Sequence, residues 1–373
     1  MMSKVLHISN YYYPHVGGIE TTAENIVDIL RADKKYEQCV ICFGDGPNLV
    51  NDVPIIRVPY SFIISSQAIS FRYLSILKHT IKKFNPDVVI LHTPNPLIEH
   101  YFHRCHYKGK VIVYHHLDVY RQKILKHFVK PTIYHTNKRA DVIISTSQKY
   151  IDSSRELRKF KDKCRVIPLC FREETINLKP EEEEDVKRIH RFYKNKTIIF
   201  YSGRHAKFKG VRYALDAIEN MDDVVFLIGR VGPMHRKLIK RIDRTPNALS
   251  LGLLERDQFR IYLYACDMFI FPSVTKNESF GITLLEATAV GKPCITFNIP
   301  GSGVNYVSPN NITGIECDNR SIVELKKAIN ELKTNKELRK KFSMNGKARS
   351  RELFSFERFK NSFLSLLEEI IKN

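Results

Sequence analysis

The sequence predicts an α/β protein built from two doubly wound parallel-sheet domains facing across a cleft. Three observations carry this. Short apolar runs of strand length alternate with segments of helical periodicity along nearly the whole chain. The alternation breaks once, at the charged stretch LKPEEEEDVKRIHRFYKN, and then restarts. With 373 residues and 43% hydrophobic composition, the chain is long enough for two domains, each with its own core.

The first half opens on KVLHIS, a strand, followed by the helix of ETTAENIVDILR. QCVICF and the short IIRV read as the next strands, then comes a helix around FRYLSILKHTIKKF. DVVILH follows, then a polar segment, KVIVYH, a basic helical region, and the strands DVIISTS and RVIPL. Strand and helix in alternation imply parallel sheets covered on both faces. The hinge is expected near Pro168 to Glu174, and the acid run 181–184 as the solvated first turn of a helix, where carboxylates suit the macrodipole. The second half runs TIIFYSG, helix VRYALDAIENM, VVFLIG, helix HRKLIKRID, LSLGL, helix DQFRIYLYAC and DMFIFPS. Residues 278–293 come next, then PCITFN and the helix SIVELKKAINELKTN. SFERFKNSFLSLLEEIIKN reads as one amphipathic helix. The expected domains are 1–172 and 173–354, with a helix over 355–373 crossing back onto the first.

No run of about 18 apolar residues suggests a membrane span, and MMSKVLHISNYYYP lacks the features of a secretory signal. The expected location is cytoplasmic. Eight cysteines are scattered, mostly in apolar runs. Cys39 and Cys42 form a C-x-x-C, but the surrounding pattern reads as buried strand rather than a redox or metal pair. The fourteen histidines form no H-x-x-x-H or H-E-x-x-H pair, so neither metal nor cofactor is expected. The net charge of +20 calls for an anionic partner: nucleic acid, a membrane surface or phosphate-bearing substrates. Part of it is local, with Arg104, Lys108, Lys110, Arg121, Lys123, Lys126, Lys130, Lys138 and Arg139 against Asp118. Tyr101, Phe102, Tyr107, Tyr120, Phe128 and Tyr134 are interleaved. This stretch has two readings, a bilayer-facing surface and an ordinary solvated face.

The stretch ESFGITLLEATAVGKP carries Glu278 and Glu286. In one continuous helix they would point about 80° apart and lie about 12 Å apart along the axis. Glu278 is therefore placed in the loop after DMFIFPS, with the helix starting near Gly281 and Glu286 on its second turn. The N–H groups of Phe280, Gly281, Ile282 and Thr283 then form an anion site at a helix N-terminus, and Gly281 allows close approach. Amides near a phosphate and carboxylates near hydroxyls suit a sugar, a diphosphate and a ribose. In YSGRHAKFKG, Arg204 and Lys209 sit on a loop entering a helix, placed to neutralise a diphosphate. Gly17 and Gly18 follow the first strand and leave room for substrate beside the backbone. His115, His116 and Asp118 lie at the C-terminal end of a strand, where wound sheets bind ligands.

Taken together, FPSVTKNESFGITLLEATAVGKPCITFNIPGSGVNYV closely resembles the signature of the family 4 retaining glycosyltransferases of the GT-B fold, and the resemblance covers most of the chain. It implies two Rossmann-like domains, with a nucleotide-sugar donor on the second and an acceptor on the first. By that resemblance Arg204 and Lys209 grip the diphosphate as leaving group, Glu278 takes donor sugar hydroxyls and Glu286 the ribose. The turn IGRVGP, with Gly229, lies beside the base, and GGIE supplies backbone contacts at Gly17 and Gly18. VYHHLDVYRQK resembles the family's active-site histidine segment. Alignment on Asp118 and Gln122 assigns His116, with His115 adjoining, and the choice between the two stays open. The expected catalytic groups are His116, Arg204, Lys209 and Glu278, with His115 and Asp118 near the sugar or acceptor. HLDVYRQ looks most like mannosyltransferases using GDP-mannose, with UDP-sugars and related donors open. The expected acceptor is a saccharide, lipid-linked at the inner face of a bacterial membrane. One departure stands out: PGSGVNYV carries Asn305 where many members have glutamate, which puts the usual sugar contact there in doubt. A phosphorylase or epimerase of the same fold and a nucleic-acid-binding protein are the competing readings. A dehydrogenase is excluded, because GGIETT does not supply G-x-G-x-x-G.

Overall fold

The structure, a computed structural model, describes residues 2–64, 67–119 and 126–372, with no side chain described at 64 or 126–128. Of the basic aromatic stretch, Tyr120, Arg121, Gln122 and Lys123 lie outside the described residues, as do the side chains of Lys126 and Phe128. The chain divides into one unit of Met1–Pro168 with Phe359–Asn373 and a second of Leu169–Arg358. Both boundaries differ by four residues from the sequence reading, and the last helix, Phe356–Lys372, belongs to the first unit from Phe359 onward.

The strands of the first unit are β1 (Ser3–Ile8), β2 (Tyr36–Phe43), β3 (Leu49–Val50), β4 (Val53–Val58), β5 (Phe62–Ile64), β6 (Gln67–Ile69), β7 (Val88–Thr93), β8 (Lys110–His115), β9 (Val142–Ser145) and β10 (Cys164–Val166). Eight of them form one sheet in the order β10-β9-β8-β7-β1-β2-β4-β3, and β5 and β6 pair separately as a hairpin. Every neighbouring pair of that sheet is parallel except β3 with β4. Both faces are apolar. Cys39, Ile41 and Phe43 enter one core, while Val40 and Cys42 enter another on the opposite face. Cys39 and Cys42 thus point away from each other, as the two-residue period of a strand requires of positions three apart. Burial pushes both thiols up to about 11, so neither is a reactive thiolate.

The second unit contains β11 (Thr197–Ser202), β12 (Val224–Gly229), β13 (Ala248–Gly252), β14 (Met268–Phe271), β15 (Cys294–Phe297) and β16 (Gly314–Cys317). They form an all-parallel sheet in the order β13-β12-β11-β14-β15-β16. The order reverses at β11, so β12, β11 and β14 lie side by side and their C-terminal loops are neighbours. Ligands bind at such switch points in open α/β sheets.

Several elements escape the sequence reading. The polar segment after β7 holds a helix, Pro96–His103, whose start is fixed by the Asn95 side chain accepting from the Ile98 N–H at 3.1 Å and by Pro96 in the first turn. β16 and the hairpin were not read as strands. A helix of 19 residues, Lys336–Phe354, was also missed. It buries Phe342, Gly346, Ser350 and Phe354, a stripe spaced by four with only two large apolar members. Hydrophobic periodicity does not register such a stripe.

The acid run continues a short turn, Pro180–Glu182, into the helix Glu183–Phe192. Of the run 181–184, Glu183 and Glu184 lie in the helix's first turn, together with Asp185, but Glu181 precedes the helix and Glu182 is buried. The Arg260 Nε donates to Glu182 Oε2 at 2.7 Å and its Nη2 to Oε1, while Nη2 also donates to Asp257 at 2.9 Å. Arg260 is the largest fully buried side chain of the described residues, and this fork ties the entry of the second unit to the helix Arg256–Ala265. Removing one partner leaves a buried charge, which costs on the order of 3 kcal/mol. Arg260→Met should therefore lower the unfolding free energy measured by urea denaturation by that much. A change of less than about 0.5 kcal/mol would show that the pair is not a structural clamp.

Candidate functional site

The site of the second unit is assembled from loops at the C-terminal ends of β12, β11 and β14. Glu278 lies in the loop after β14, as the spacing argument required, and the helix that follows runs Ile282–Ala289. Gly281 caps it at φ 96°, a left-handed conformation that L side chains rarely adopt. A Cβ there would stand 2.9 Å from the Phe271 ring. The Thr283 hydroxyl donates to the Ser202 carbonyl at 3.1 Å, so the start of this helix sits against the end of β11. Its N-terminal N–H groups have no intrahelical acceptors. From behind, Phe354 packs edge-on against Phe280 at 5.6 Å, and Gly346 meets the Thr288 backbone where no side chain would fit.

Lys209 and Glu278 are brought into direct contact across 69 residues of sequence, forming an ion pair between Nζ and Oε2. The Ser273 hydroxyl donates to the same oxygen at 2.9 Å. Lys209 also lies over the Phe271 ring at 4.9 Å. Gly210, which follows it at φ 64°, packs against the Pro272 carbonyl with no room for a Cβ. Arg204 stands exposed at the end of β11 and has no ion-pair or hydrogen-bond partner among the described residues. Gly229 ends β12, and a Cβ on Gly232 in the turn beyond would stand 2.6 Å from the His205 nitrogen. That turn is locked further by the stacked His205 and His235 rings, whose Nδ1 atoms lie 3.0 Å apart.

Glu286 is buried and paired with Arg256, Nη2 to Oε1 at 2.6 Å, and its Oε2 is buried without a partner. The same guanidinium donates to the Thr175 hydroxyl at 2.8 Å. Sequence reasoning missed Arg256, because nothing in its local pattern distinguishes it from a surface cation. Asn305, the departure from the family pattern, is spent within the fold. Its Oδ1 accepts from the Ile299 N–H at 3.0 Å and its Nδ2 donates to the Phe297 carbonyl at 3.2 Å.

In the first unit, Gly17 and Gly18 begin the helix Gly18–Asp33 after β1. His115 and His116 point to opposite faces of the β8 end. His116 stacks on Tyr114 at 4.6 Å, its Nε2 lies 3.1 Å from His92 Nδ1, and burial pushes it down to about 3. It is a neutral ring fixed in the sheet layer. His115 Nε2 lies 3.1 Å from Asp118 Oδ1 and 4.0 Å from Glu156 Oε2. Burial opposes its charge, but the hydrogen bond to Asp118 and the charges of Glu156, Asp118 and Glu99 prevail and hold it above the usual histidine value. Burial likewise opposes the charge of Asp118, yet its carboxyl is held low by His115, the Ser154 hydroxyl and the Arg155 N–H. Burial pushes Glu156 up to about 7. His115, Asp118 and Glu156 place one ligand atom each within 4.8 Å of one another, a grouping that the sequence spacing did not reveal. Both Asp118 oxygens accept from protein donors: Oδ1 from the Ser154 hydroxyl and Oδ2 from the Arg155 N–H.

The basic aromatic stretch is less of a surface than the sequence suggests. Phe102 is buried, and Tyr101 and Tyr107 pack against the core. Tyr134 is exposed, as are Arg104, Lys108, Lys130 and Lys138.

Gly281→Ala should be tolerated in expression yet strained by about 1–3 kcal/mol, with the loss read as a lower melting temperature. An unchanged melting temperature would show that the helix start does not need the left-handed turn.

The model of the family described as "Glycosyl transferases group 1" matches residues 182–349, and that of "Glycosyltransferase Family 4" matches residues 16–173. The chain is 25% identical over 379 residues to the O-antigen chain mannosyltransferase C of Escherichia coli, covering 99% of each. It is 26% identical to the D-rhamnosyltransferase WbpZ of Pseudomonas aeruginosa over 72% of this chain and 70% of that one. Among solved structures it is similar in fold to a sucrose-phosphate synthase from Thermosynechococcus elongatus, with a TM-score of 0.84, 15% identity and 99% of both chains covered. It is also similar to Anabaena HepE in complex with UDP and glucose, with a TM-score of 0.78, 17% identity and 98% and 99% covered. Two parallel-sheet units and the two matching models, one on each unit, show that the chain belongs to the family 4 glycosyltransferases of the GT-B fold.

Proposed function

We propose that this glycosyltransferase moves a hexosyl group, mannose from GDP-mannose in the favoured reading, onto a sugar hydroxyl of a lipid-linked saccharide in cell-surface polysaccharide synthesis. Transfer retains the anomeric configuration and uses no metal. The observation that carries the reading is the Lys209–Glu278 pair joining the ends of neighbouring strands, with Arg204 in the same loop as Lys209. An ammonium has three N–H donors, so Lys209 can hold Glu278 and still donate to phosphate oxygens. Glu278 Oε1, which has no partner among the described residues, is left to accept from sugar hydroxyls. Arg204 brings an uncommitted guanidinium suited to bidentate contact with a diphosphate. The mannosyltransferase and rhamnosyltransferase relatives, and the segment HLDVYRQ, support the sugar class.

In this reading the bond between the anomeric carbon and the diphosphate oxygen breaks, and a bond from that carbon to the acceptor oxygen forms on the same face. The acceptor proton passes to the departing diphosphate. Charge gathers on that diphosphate, so Arg204, Lys209 and the N–H groups of 280–283 act by stabilising it. His115 is the better candidate for the sugar-side histidine, because the His116 ring is committed to His92 and Tyr114. Arg204→Ala should lower turnover about 100-fold or more, by analogy with losing an oxyanion-hole donor. The assay is purified protein against a panel of nucleotide sugars, scored by donor hydrolysis and thermal shift. Near wild-type turnover in Arg204→Ala would remove its role, and no response to any donor would remove the reading itself.

No described helix is long and apolar enough to cross a membrane, so contact with a lipid-linked acceptor would be peripheral, through the exposed cations. Each lysine near an anionic surface contributes about 1 kcal/mol. Replacing Lys108, Lys130 and Lys138 by glutamine should weaken binding to vesicles containing anionic lipid about 100-fold. Unchanged sedimentation with such vesicles would count against the membrane surface as a partner.

A further inference from the structure

Glu156 takes no part in the steps above, although it lies beside His115. Its Oε1 accepts from the Val119 N–H at 2.9 Å. Its Oε2 is buried, without a hydrogen-bond partner, 4.0 Å from His115 Nε2. We propose that Glu156 is a positioning residue that keeps His115 doubly protonated, so that the second ring nitrogen, Nδ1, is a hydrogen-bond donor to the ligand bound at the end of β8. The ligand atom met there is then an acceptor, a hydroxyl or phosphate oxygen. The part about the ligand rests on the glycosyltransfer reading above, while the part about the proton does not.

The argument is one of charge and satisfaction. With a proton on Nε2 directed at Asp118, a neutral imidazole would leave Nδ1 an acceptor, and only the imidazolium makes both nitrogens donors. Asp118 cannot relieve the cluster by taking up the proton, because the Ser154 hydroxyl and the Arg155 N–H already hold it as a carboxylate. A buried carboxylate oxygen with no donor is costly, and the imidazolium is the nearest charge that offsets it. Among the described residues, the other groups facing the ring add no competing cation. Glu99, from the helix Pro96–His103, is buried and acts to keep His115 charged. Tyr150, from the helix Gln148–Ser153, lies 6.2 Å away ring to ring and is neutral, its hydroxyl accepting from the Asp118 N–H at 2.7 Å. His116, on the same strand, is held neutral by burial. His115 is held above the usual histidine value and Glu156 is pushed up to about 7, so as pH rises Glu156 ionises and its charge then favours the proton on the ring. The ring loses its proton as pH rises through its raised value.

The test is imidazole C–H NMR of the full chain against pH, with the His115 signal assigned by its loss in His115→Gln. His115 should titrate above the ordinary value of about 6.5. In Glu156→Gln it should titrate lower by at least about one pH unit, and Glu156→Asp should restore most of the difference. A merely structural role would leave this titration unmoved. In a nucleotide-sugar assay the alkaline limb of kcat/KM should move to lower pH by the same amount. A His115 value at or below 6.5 in the wild type overturns the proposal, even if Glu156→Gln does not fold. So does an unchanged value in a folded Glu156→Gln, or selective broadening of the His115 signal by added manganese, which would mean that a cation takes the place of the proton. Failure to bind any nucleotide sugar would remove the glycosyltransfer reading and leave the titration result standing.

Discussion

The ion pair between Lys209 and Glu278 is the constraint on which the rest of the second unit's site depends. It joins the loop after β11 to the loop after β14, which are neighbours only because the strand order reverses at β11. Everything close to it follows from that contact. Gly210 must pass flat against the Pro272 carbonyl for Lys209 to reach across. Gly281 must turn left-handed so that Glu278 stays in the loop while the following helix starts against Ser202. A pair this sheltered, with both side chains largely buried, is a weak source of net stability but a strong source of register. Its value lies in fixing where a carboxylate and an ammonium stand relative to the helix N-terminus.

The helix Ile282–Ala289 is short and would be marginal alone. It is held by its packing partner Lys336–Phe354, through contacts that need small residues: Gly346 against the Thr288 backbone, and Ser350 bonded to the Thr288 hydroxyl at 3.1 Å. The signature stretch is thus supported by a segment with no visible signature of its own. The same division holds for Glu286. Its place on the second turn is dictated locally, but the orientation of its carboxylate comes from Arg256, 30 residues earlier.

This division explains what could be read in the sequence. The central strands of both sheets were legible because strands buried on both faces are continuous apolar runs, as in VVILHT and MFIF, whereas β3 and β16 at the sheet edges were not. The placing of Glu278 in a loop was legible because helix geometry forbade the alternative. The helix Lys336–Phe354 was not, since its buried stripe mixes glycine and serine with phenylalanine. Helix Pro96–His103 could have been found from Asn95-Pro96, a capping residue followed by a first-turn proline. Glu182 was hidden inside a run of four glutamates, and only the distant Arg260 marks it as different. The histidine pair shows the limit most clearly. Adjacent residues on a strand face opposite ways, so His115 and His116, both buried, meet different neighbours and only one can be free to act on a ligand. Which one depends on His92 and Glu156, both far away in sequence.

The distribution of cations decides how the electrostatic work is shared. A net charge of +20 suggests a surplus everywhere, yet several cations of the second unit already have partners. Lys209 is bound to Glu278, Arg256 to Glu286, and Arg260 to Glu182 and Asp257. A paired cation stabilises an incoming anion less, because its partner's negative charge offsets part of the field. Arg204, exposed at the end of β11 and unpaired among the described residues, carries its full charge to a ligand. It is also the group best shaped for two phosphate oxygens. Lys209 then serves mainly to hold Glu278 in register while contributing its remaining N–H donors. The sequence alone ranked the two cations equally. The structure separates them, because an ion pair is a property of position that neither residue shows by itself.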